Sequence, residues 1–578
     1  MHGEAAPGSP FWPHGRFGPG SSAGAAPATG RGEQQRYQNF SPIPGFDLLT
    51  GSAIRMRLSL IAICLAVSAA GVATGAERAL NPTFESAAPL SAQSAVDARV
   101  FDRLKRLDIQ PARLSSDAVF LRRAYLDVIG TLPTAEEATQ FLADGDPAKR
   151  AALIDRLLER PEFADYWAMK WSDLLRVKAE FPINLWPNAA QAYHRWIRAA
   201  IQENRPYDRF VRELLTSSGS NFRDAPVNFY RAMQSKEPPA IAQTVALTFM
   251  GTRAENWRPE RLAAMAGFFS QIGYKETTEW KEEIVYFKPR PAGASAAAVA
   301  FPDGTLARLA PGSDPRKVFA DWLIAPQNPW FARNAVNRVW SWLLGRGIIH
   351  EPDDIRPDNP PSNPELLALL EREFVESHYN LKSLYRLILN SETWQLSSIP
   401  RSERPEAAAN FAYYPLRRLD AEVLADAICD TTGTTETYTS AIPEPFTFIP
   451  EDQRGISLPD GSITSAFLEL FGRPPRDTGL EAERNNRLTA AQELHLLNAS
   501  HVERKIEQSP KLQSLMRNAK GGQALVTGLY LTILSRPPTA EELQAVSTYS
   551  KNGNLKPREA MIDLAWALMN STEFLYRH

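Results

Sequence analysis

Apolar residues recur every three to four positions through most of this chain, which is the spacing of helices that bury one face. The pattern is plainest between Asp314 and Ser397. There Asn328-Pro329 supplies a side-chain acceptor followed by a residue whose φ already suits a first helical turn, and Gly345 supplies a stop, so a helix is predicted between them. On that helix Phe331, Ala335, Val339 and Trp342 share one face, while Asn334, Asn337, Arg338 and Ser341 share another. The polar face, together with the loop that follows it, is where function is expected.

Earlier in the chain Val96, Val100, Leu104 and Leu107 form one stripe and Phe120, Ala124 and Val128 a second, which Gly130 ends. Phe163, Trp167 and Trp171 repeat every four residues in PEFADYWAMKWSDLL; the repeat fits a buried stripe better than an exposed aromatic platform. Further helices are read in IAQTVALTFMGT, ERLAAMAGFFSQI and YYPLRRLDAEVLADAICD, and one helix is read through LTAAQELHLLNASHVERKI. EEIVYF alternates like a strand, with GTLARLAP as its expected partner. Thr431 to Ile463, rich in Thr, Pro and Gly, is a long loop that is either mobile or a lip over a site.

One phrase occurs twice. AYLDVIGTLPTAEEATQFL near the start matches LYLTILSRPPTAEELQAVSTY near the end, with Tyr125 aligning on Tyr530 and Pro133 on Pro538. Each copy restarts a helix with Thr three residues before Glu, a spacing that lets each side chain bond the other residue's free backbone N–H. The copies read as a duplicated helical module, with convergence on a good helix restart as the alternative. The expected fold class is therefore mainly α: a multi-helical, two-lobed protein with a short β segment between the halves and a duplicated helical module at the two ends.

Composition narrows the function classes. Of 64 basic and 66 acidic residues, five and three lie in residues 1–76, which leaves 59 against 63. A balance near −4 lacks the basic field that a nucleic-acid partner requires. Residues 1–55 are rich in Gly, Pro, Ala and Ser and are expected to be disordered. Residues 56–76, MRLSLIAICLAVSAAGVATGA, run from flanking arginines through a short apolar core to small residues, the order of a signal peptide, so Met56 is read as the translation start and Ala76 as the cleavage point. The protein is thus expected to be exported to the periplasm or beyond, without a transmembrane span once the signal is removed. Of the two cysteines, Cys64 falls in that segment and Cys429 is expected to be a small, partly buried residue, so no internal disulfide forms.

NPWFARNAVNRVWSWLLGRGIIHEPDDIRPDNPPSNPELL, followed by NLKSLYRLILNSETWQLSS, resembles the family DUF1553; FLRRAYLDVIGTLPTAEEATQFL with LIDRLLERPEFADYWAMKWSDLLR resembles DUF1549. The resemblance spans most of the chain from Val96 to His578 and implies an extracytoplasmic bacterial protein with the shared fold, organised as a linker at 77–95, a DUF1549-like helical domain at 96–275, a β-containing linker at 276–313 and a DUF1553-like helical domain at 314–578. It implies no activity. Many relatives carry a Cys-x-x-Cys-His segment of cytochrome c type after a Gly-x-Arg. Here Gly251-Thr252-Arg253 is followed by AENWRPER, and a second cysteine-bearing spot, after FGRPPRD, reads TGLEAER. With no thiol or axial histidine to attach it, haem c is excluded there.

No nucleophile elbow, zinc-peptidase motif, phosphate-binding loop or dinucleotide fingerprint occurs. His495 and His501, six apart, should point to different sides of one helix rather than share a metal. In EPDDIRPDNPPSNP the residues Asp353, Asp354, Asp358 and Asn359 offer oxygen ligands that suit calcium, although turn capping ahead of the Asn363-Pro364 helix start explains them and is preferred. Arg333, Asn334, Asn337 and Arg338 either bond this loop, an arginine pairing with Asp353 or Asp354, or join Trp340 in binding an anionic or sugar-like ligand. The sequence thus points to an exported, non-redox ligand-binding or scaffold protein of the cell envelope, partnered by an envelope polymer or a protein. The alternative is a hydrolase of extracellular or envelope polymers that uses Asp353 and Asp354, which would need a further carboxylate at a defined separation.

Overall fold

Apolar periodicity becomes helix along most of the chain in the computed structural model, which describes residues 78–291, 297–310, 312–498 and 500–578. The extension at 1–55 and the signal segment at 56–76 lie outside the described residues. Ala95–Arg106 buries Val96, Val100 and Leu104, with Ser94 capping its start. Pro161–Leu174 is enclosed on nearly every side, as the repeat of Phe163, Trp167 and Trp171 predicts. Its Trp167 ring lies 4.4 Å from Tyr385 and 5.4 Å from Trp342, and Trp171 meets Trp342 edge-on at 5.5 Å. These aromatic pairs fasten the early helices directly to the helix Phe331–Leu344. The halves expected as two lobes share one continuous cluster of buried apolar residues that runs from Val96 to Leu575.

The repeated phrase folds the same way twice. Asp117–Val128, Ala135–Ala143 and Lys149–Glu159 form one copy; Gly522–Leu534, Ala540–Asn552 and Pro557–Met569 form the other. Thr134 with Glu137, and Thr539 with Glu542, make reciprocal capping bonds. The chain turns out of the first helix through Gly130 at φ +63°, where a Cβ would come within 2.5 Å of the Tyr166 ring. At the matching place the second copy holds Ser535 in the same left-handed conformation, φ +63°. The copies touch: Arg122 donates to the carbonyls of Ile533 and Phe574 at 2.9 and 3.1 Å.

Strand pairing departs from expectation. Glu283–Phe287 does form, but it pairs antiparallel with Ile272–Glu276, Tyr274 opposite Val285, and with Gly219–Ser220 on its other edge. Leu306–Leu309 pairs instead with Ala297–Ala300. Alternation predicts that a strand exists but says nothing about which edge it joins, and a tight turn after Glu276 offers a nearer partner than the long excursion to Leu306.

Charges also lie inside. Arg484 bridges Asp173 and Glu422, both at 2.7 Å; Arg476 bonds Asp173 at 2.9 Å, and Arg473 reaches Glu422 at 3.3 Å. Asp420 takes Lys170 and Arg577, each at 3.0 Å, and Arg577 continues to Asp127 at 3.0 Å. All of these residues are buried except Arg484, whose side chain is nevertheless only 7% exposed. Burial would raise the Glu422 carboxyl, but Arg484 and Arg473 outweigh it and hold it at about 2; burial would likewise raise Asp420, yet Lys170, Arg577 and Arg484 hold it well below the carboxylate range. Such depressed groups stabilise the fold only while ionised, so their contribution is complete above the free values of 4.5 and 3.8 and is lost as pH falls from there towards 2. Urea unfolding should therefore show stability falling steeply below about pH 4, and Arg484→Ala at neutral pH, which takes one of two cations from each of Asp173 and Glu422, should cost on the order of 3 kcal/mol.

Candidate functional site

Asn328 starts the central helix by accepting the N–H groups of Trp330 and Phe331 at 3.0 and 3.2 Å. Gly345 ends it at φ +71°, where a Cβ would fall 2.4 Å from Arg417 Cδ. The helix is buried on nearly every side, and from Asn334 to Arg338 its polar face is an internal seam rather than a surface. Asn334 donates to the Thr248 carbonyl at 3.0 Å. Asn337 donates to the carbonyl of Ile349 and accepts from its N–H, both at 2.9 Å, an embrace that leaves no room for a side chain at Gly347. Arg338 bonds Asp353 at 2.8 Å and Glu481 at 3.3 Å, each partner of the Asp353 pair being 1% exposed. The second oxygen of Asp353 accepts the Glu481 N–H at 2.6 Å. Burial lowers the Arg338 guanidinium, but Asp353 and Glu481 more than compensate and keep it above its ordinary value. Trp340 is fully buried and meets Phe411 edge-on at 5.0 Å. The expected arginine–aspartate pairing is present; of the ligand-binding candidates, Asn334, Asn337, Arg338, Trp340 and Asp353 lie buried within the protein, because periodicity separates polar from apolar faces without saying whether the polar face meets water or another buried polar segment.

The remaining candidates, Arg333, Asp354 and Asn359, come together at the head of this helix, where they line an open cleft of about 680 Å³. Its far wall is the segment after Gly251: Arg253, Trp257 and Arg261, with Trp330 and Arg356 closing the rim. Gly251 sits at φ +62°, and a Cβ there would press on Asn334 Oδ1 at 2.6 Å, so its smallness lets the 251–253 turn lie against the aspartate loop. Ile355 N–H bonds the Gly251 carbonyl at 2.8 Å and fastens the two walls.

Arg333 reaches Glu371 at 2.7 Å, and Asn359 donates to the carbonyls of His350 and Asp354 at 3.1 and 2.9 Å. Arg356 lies between Asp354 and Asp358, at 3.0 and 2.8 Å. A guanidinium thus occupies the space between the carboxylates where the calcium reading places a cation, and among the described residues no cluster of three or more His, Cys, Asp or Glu side chains is arranged to hold a metal. Across the cleft the Arg261 guanidinium lies 3.9 Å over the Trp257 ring and 5.9 Å from Trp330, while its Nε donates to the Pro302 carbonyl at 2.9 Å. Burial lowers its pKa, with Asp303 opposing in part. Among the described residues no carboxylate forms an ion pair with Arg261. The lining therefore combines four arginines, two aspartates and two indole faces, chemistry suited to carboxylate or sulfate groups carried on a ring with apolar faces. Trp257, Arg261, Trp330, Arg253 and Arg356 were not among the sequence candidates. The signal for Trp257 and Arg261 was Trp and Arg packed into AENWRPER, directly after Gly251-Thr252-Arg253.

The histidines correct another expectation. Residues 490–498 and 500–507 are helical, and the rings of His495 and His501 lie 5.8 Å apart rather than on different sides. His501 Nε2 lies 2.9 Å from Glu436, which Lys505 also contacts at 3.2 Å. Lys505 Nζ is 3.5 Å from Cys429 Sγ, whose thiol burial pushes up to about 11. Glu436 belongs to the long loop after Thr431, so this cluster pins part of that loop to the protein.

Residues 315–550 match the family described as PSD1, protein of unknown function (DUF1553), and residues 95–261 match PSCyt2, protein of unknown function (DUF1549). Comparison with curated proteins and with solved structures finds no match. The cleft draws its walls from both matched regions: Arg253, Trp257 and Arg261 from one, Trp330, Arg333 and Asp354 from the other.

The different settings of the two arginines make a direct test. Arg338→Ala leaves Asp353 buried without its cation and should lower stability by about 3–5 kcal/mol, whereas Arg333→Ala removes a half-exposed pair and should cost under about 1 kcal/mol. Thermal unfolding of the two variants checks this, the predicted order being a large drop in Tm for the first and little change for the second.

Proposed function

We propose that this chain, which joins a DUF1549 region to a DUF1553 region, is an exported, non-redox binding protein of the cell envelope whose cleft takes an acidic carbohydrate segment of an envelope or extracellular polymer. The observation that carries the reading is the Trp257–Arg261–Trp330 stack beside Arg253 and Arg333 in an open cleft. Indole faces pack against the apolar faces of sugar rings, and guanidinium forks bind carboxylate or sulfate in two-point contacts. An open cleft suits a segment of polymer better than an enclosed small molecule. The hydrolase alternative gains no support from the geometry: Asp353 is sealed against Arg338, and Asp354, the accessible neighbour, is engaged by Arg356. No helix among the described residues is long and apolar enough to cross a membrane; export rests on the order of charge, apolar core and small residues at 55–76.

Calorimetric titration with oligogalacturonate should give binding that weakens with added salt, and Arg261→Ala should lower affinity about tenfold or more, about 1.4 kcal/mol, without changing thermal stability. Equal affinity in the variant, or preference for a neutral oligosaccharide of the same length, overturns the assignment. For export, mass spectrometry of the mature protein should find Glu77 at its N-terminus; a mature chain that retains Met56 contradicts it.

A further inference from the structure

Away from the cleft, three loops place aromatic side chains in water. Phe181 is 85% exposed, Trp280 68%, Phe448 69% and Phe446 42%. Trp186 joins the loops: its ring lies 6.3 Å from Trp280 and 5.2 Å from Phe446, both edge-on. Lys281 Nζ sits 5.2 Å from Trp186 and 5.4 Å from Trp280. Phe181 caps a tight excursion closed at its base by Leu185 N–H to the Lys178 carbonyl and Trp186 N–H to the Ala179 carbonyl, and Phe448 stands two residues beyond Phe446 on a turn closed by Pro443.

Two of these loops hold residues in unfavourable backbone conformations. Asn184, Trp186 and Lys281 have φ of +61°, +74° and +61°. Trp186, with ψ 146°, occupies a region that residues other than glycine rarely adopt. Isolated exposed apolar residues need no explanation, but several aromatics gathered on adjoining strained turns do.

We infer that this aromatic cluster is a membrane-surface anchor that inserts into the interfacial layer of a lipid bilayer. Three features select lipid over other occupants. The rings project from loop tips, so they suit a soft partner that closes around them rather than a ligand that needs a concave seat. Three of them are phenylalanines, which have no group with which to bond the hydroxyls of a glycan. Tryptophan with a lysine lying along its face is the composition that settles at the level of lipid headgroups, ring inward and ammonium outward. Because no helix of the described residues can span a bilayer, attachment here is peripheral and reversible. The inference stands apart from the acidic-carbohydrate reading, since none of its residues lines the cleft.

The test is co-sedimentation of the full chain with sucrose-loaded vesicles of phosphatidylcholine and phosphatidylethanolamine, compared with Phe181→Ser/Trp280→Ser/Phe448→Ser. All three side chains are exposed, so the variant should match the parent in near-UV circular dichroism and Tm. The parent should pellet with vesicles and show a blue shift in tryptophan emission, and the variant should bind at least tenfold more weakly, whereas Arg261→Ala should bind vesicles as the parent does. A parent that does not pellet, a triple variant that pellets equally well, or an aromatic cluster that instead drives concentration-dependent self-association or retention on insoluble polysaccharide overturns the inference.

Discussion

Buried charge that can be neutralised only from across the chain is the constraint on which this structure depends. Asp127, Lys170 and Asp173 lie in the region matched to DUF1549, and Asp420, Glu422, Arg473, Arg476 and Arg484 lie in the region matched to DUF1553. Neither set is satisfied by itself. Asp173 takes both its cations from the second region, and Lys170 meets Asp420 across the same boundary. A buried ion pair often adds little net stability over an apolar substitute, yet leaving one member unpaired is costly. The network therefore acts chiefly as a specification of fit: helices that could pack on many apolar surfaces can pack here only where aspartate meets arginine. Arg577 extends the same logic to the strand Tyr576–Arg577, which pairs with Arg417–Arg418 and carries a cation to Asp127 and Asp420.

The cleft depends on this arrangement, because its two walls come from the two regions. Gly251 has to approach Asn334 closely, and Arg338 has to hold Asp353 inward so that Asp354 turns outward with Arg356. The buried polar seam of the central helix is thus the support, and the exposed arginines and tryptophans at its head are the working surface. The stretch after Gly251-Thr252-Arg253 contributes Trp257 and Arg261 to an open cleft.

Legibility in the sequence followed the range of the interaction. Local features were readable: the stripe of Val96, Val100 and Leu104, the two Thr–Glu capping boxes, and the stop at Gly345 are set by residues within a turn or two of each other. The pairing of Arg338 with Asp353 was also readable, because the helix ends at Gly345 and only a short loop can fold back on it. What failed depended on distant chain. That Asn334 faces the Thr248 carbonyl, that Trp340 is sealed by Phe411, and that Glu283–Phe287 joins Ile272–Glu276 are facts about partners remote in sequence or about the choice among competing edges. Arg261 was missed for the same reason: its role comes from Trp330, a residue on a different helix start.

The central claim is that the two matched regions form one cooperative unit locked by the buried ion network, and differential scanning calorimetry of the chain at neutral pH tests it most directly. The account predicts one transition, coincident with the loss of near-UV circular dichroism, that moves as a whole to lower temperature in Asp173→Asn. Two resolved transitions, with Asp173→Asn shifting only one of them, would contradict it.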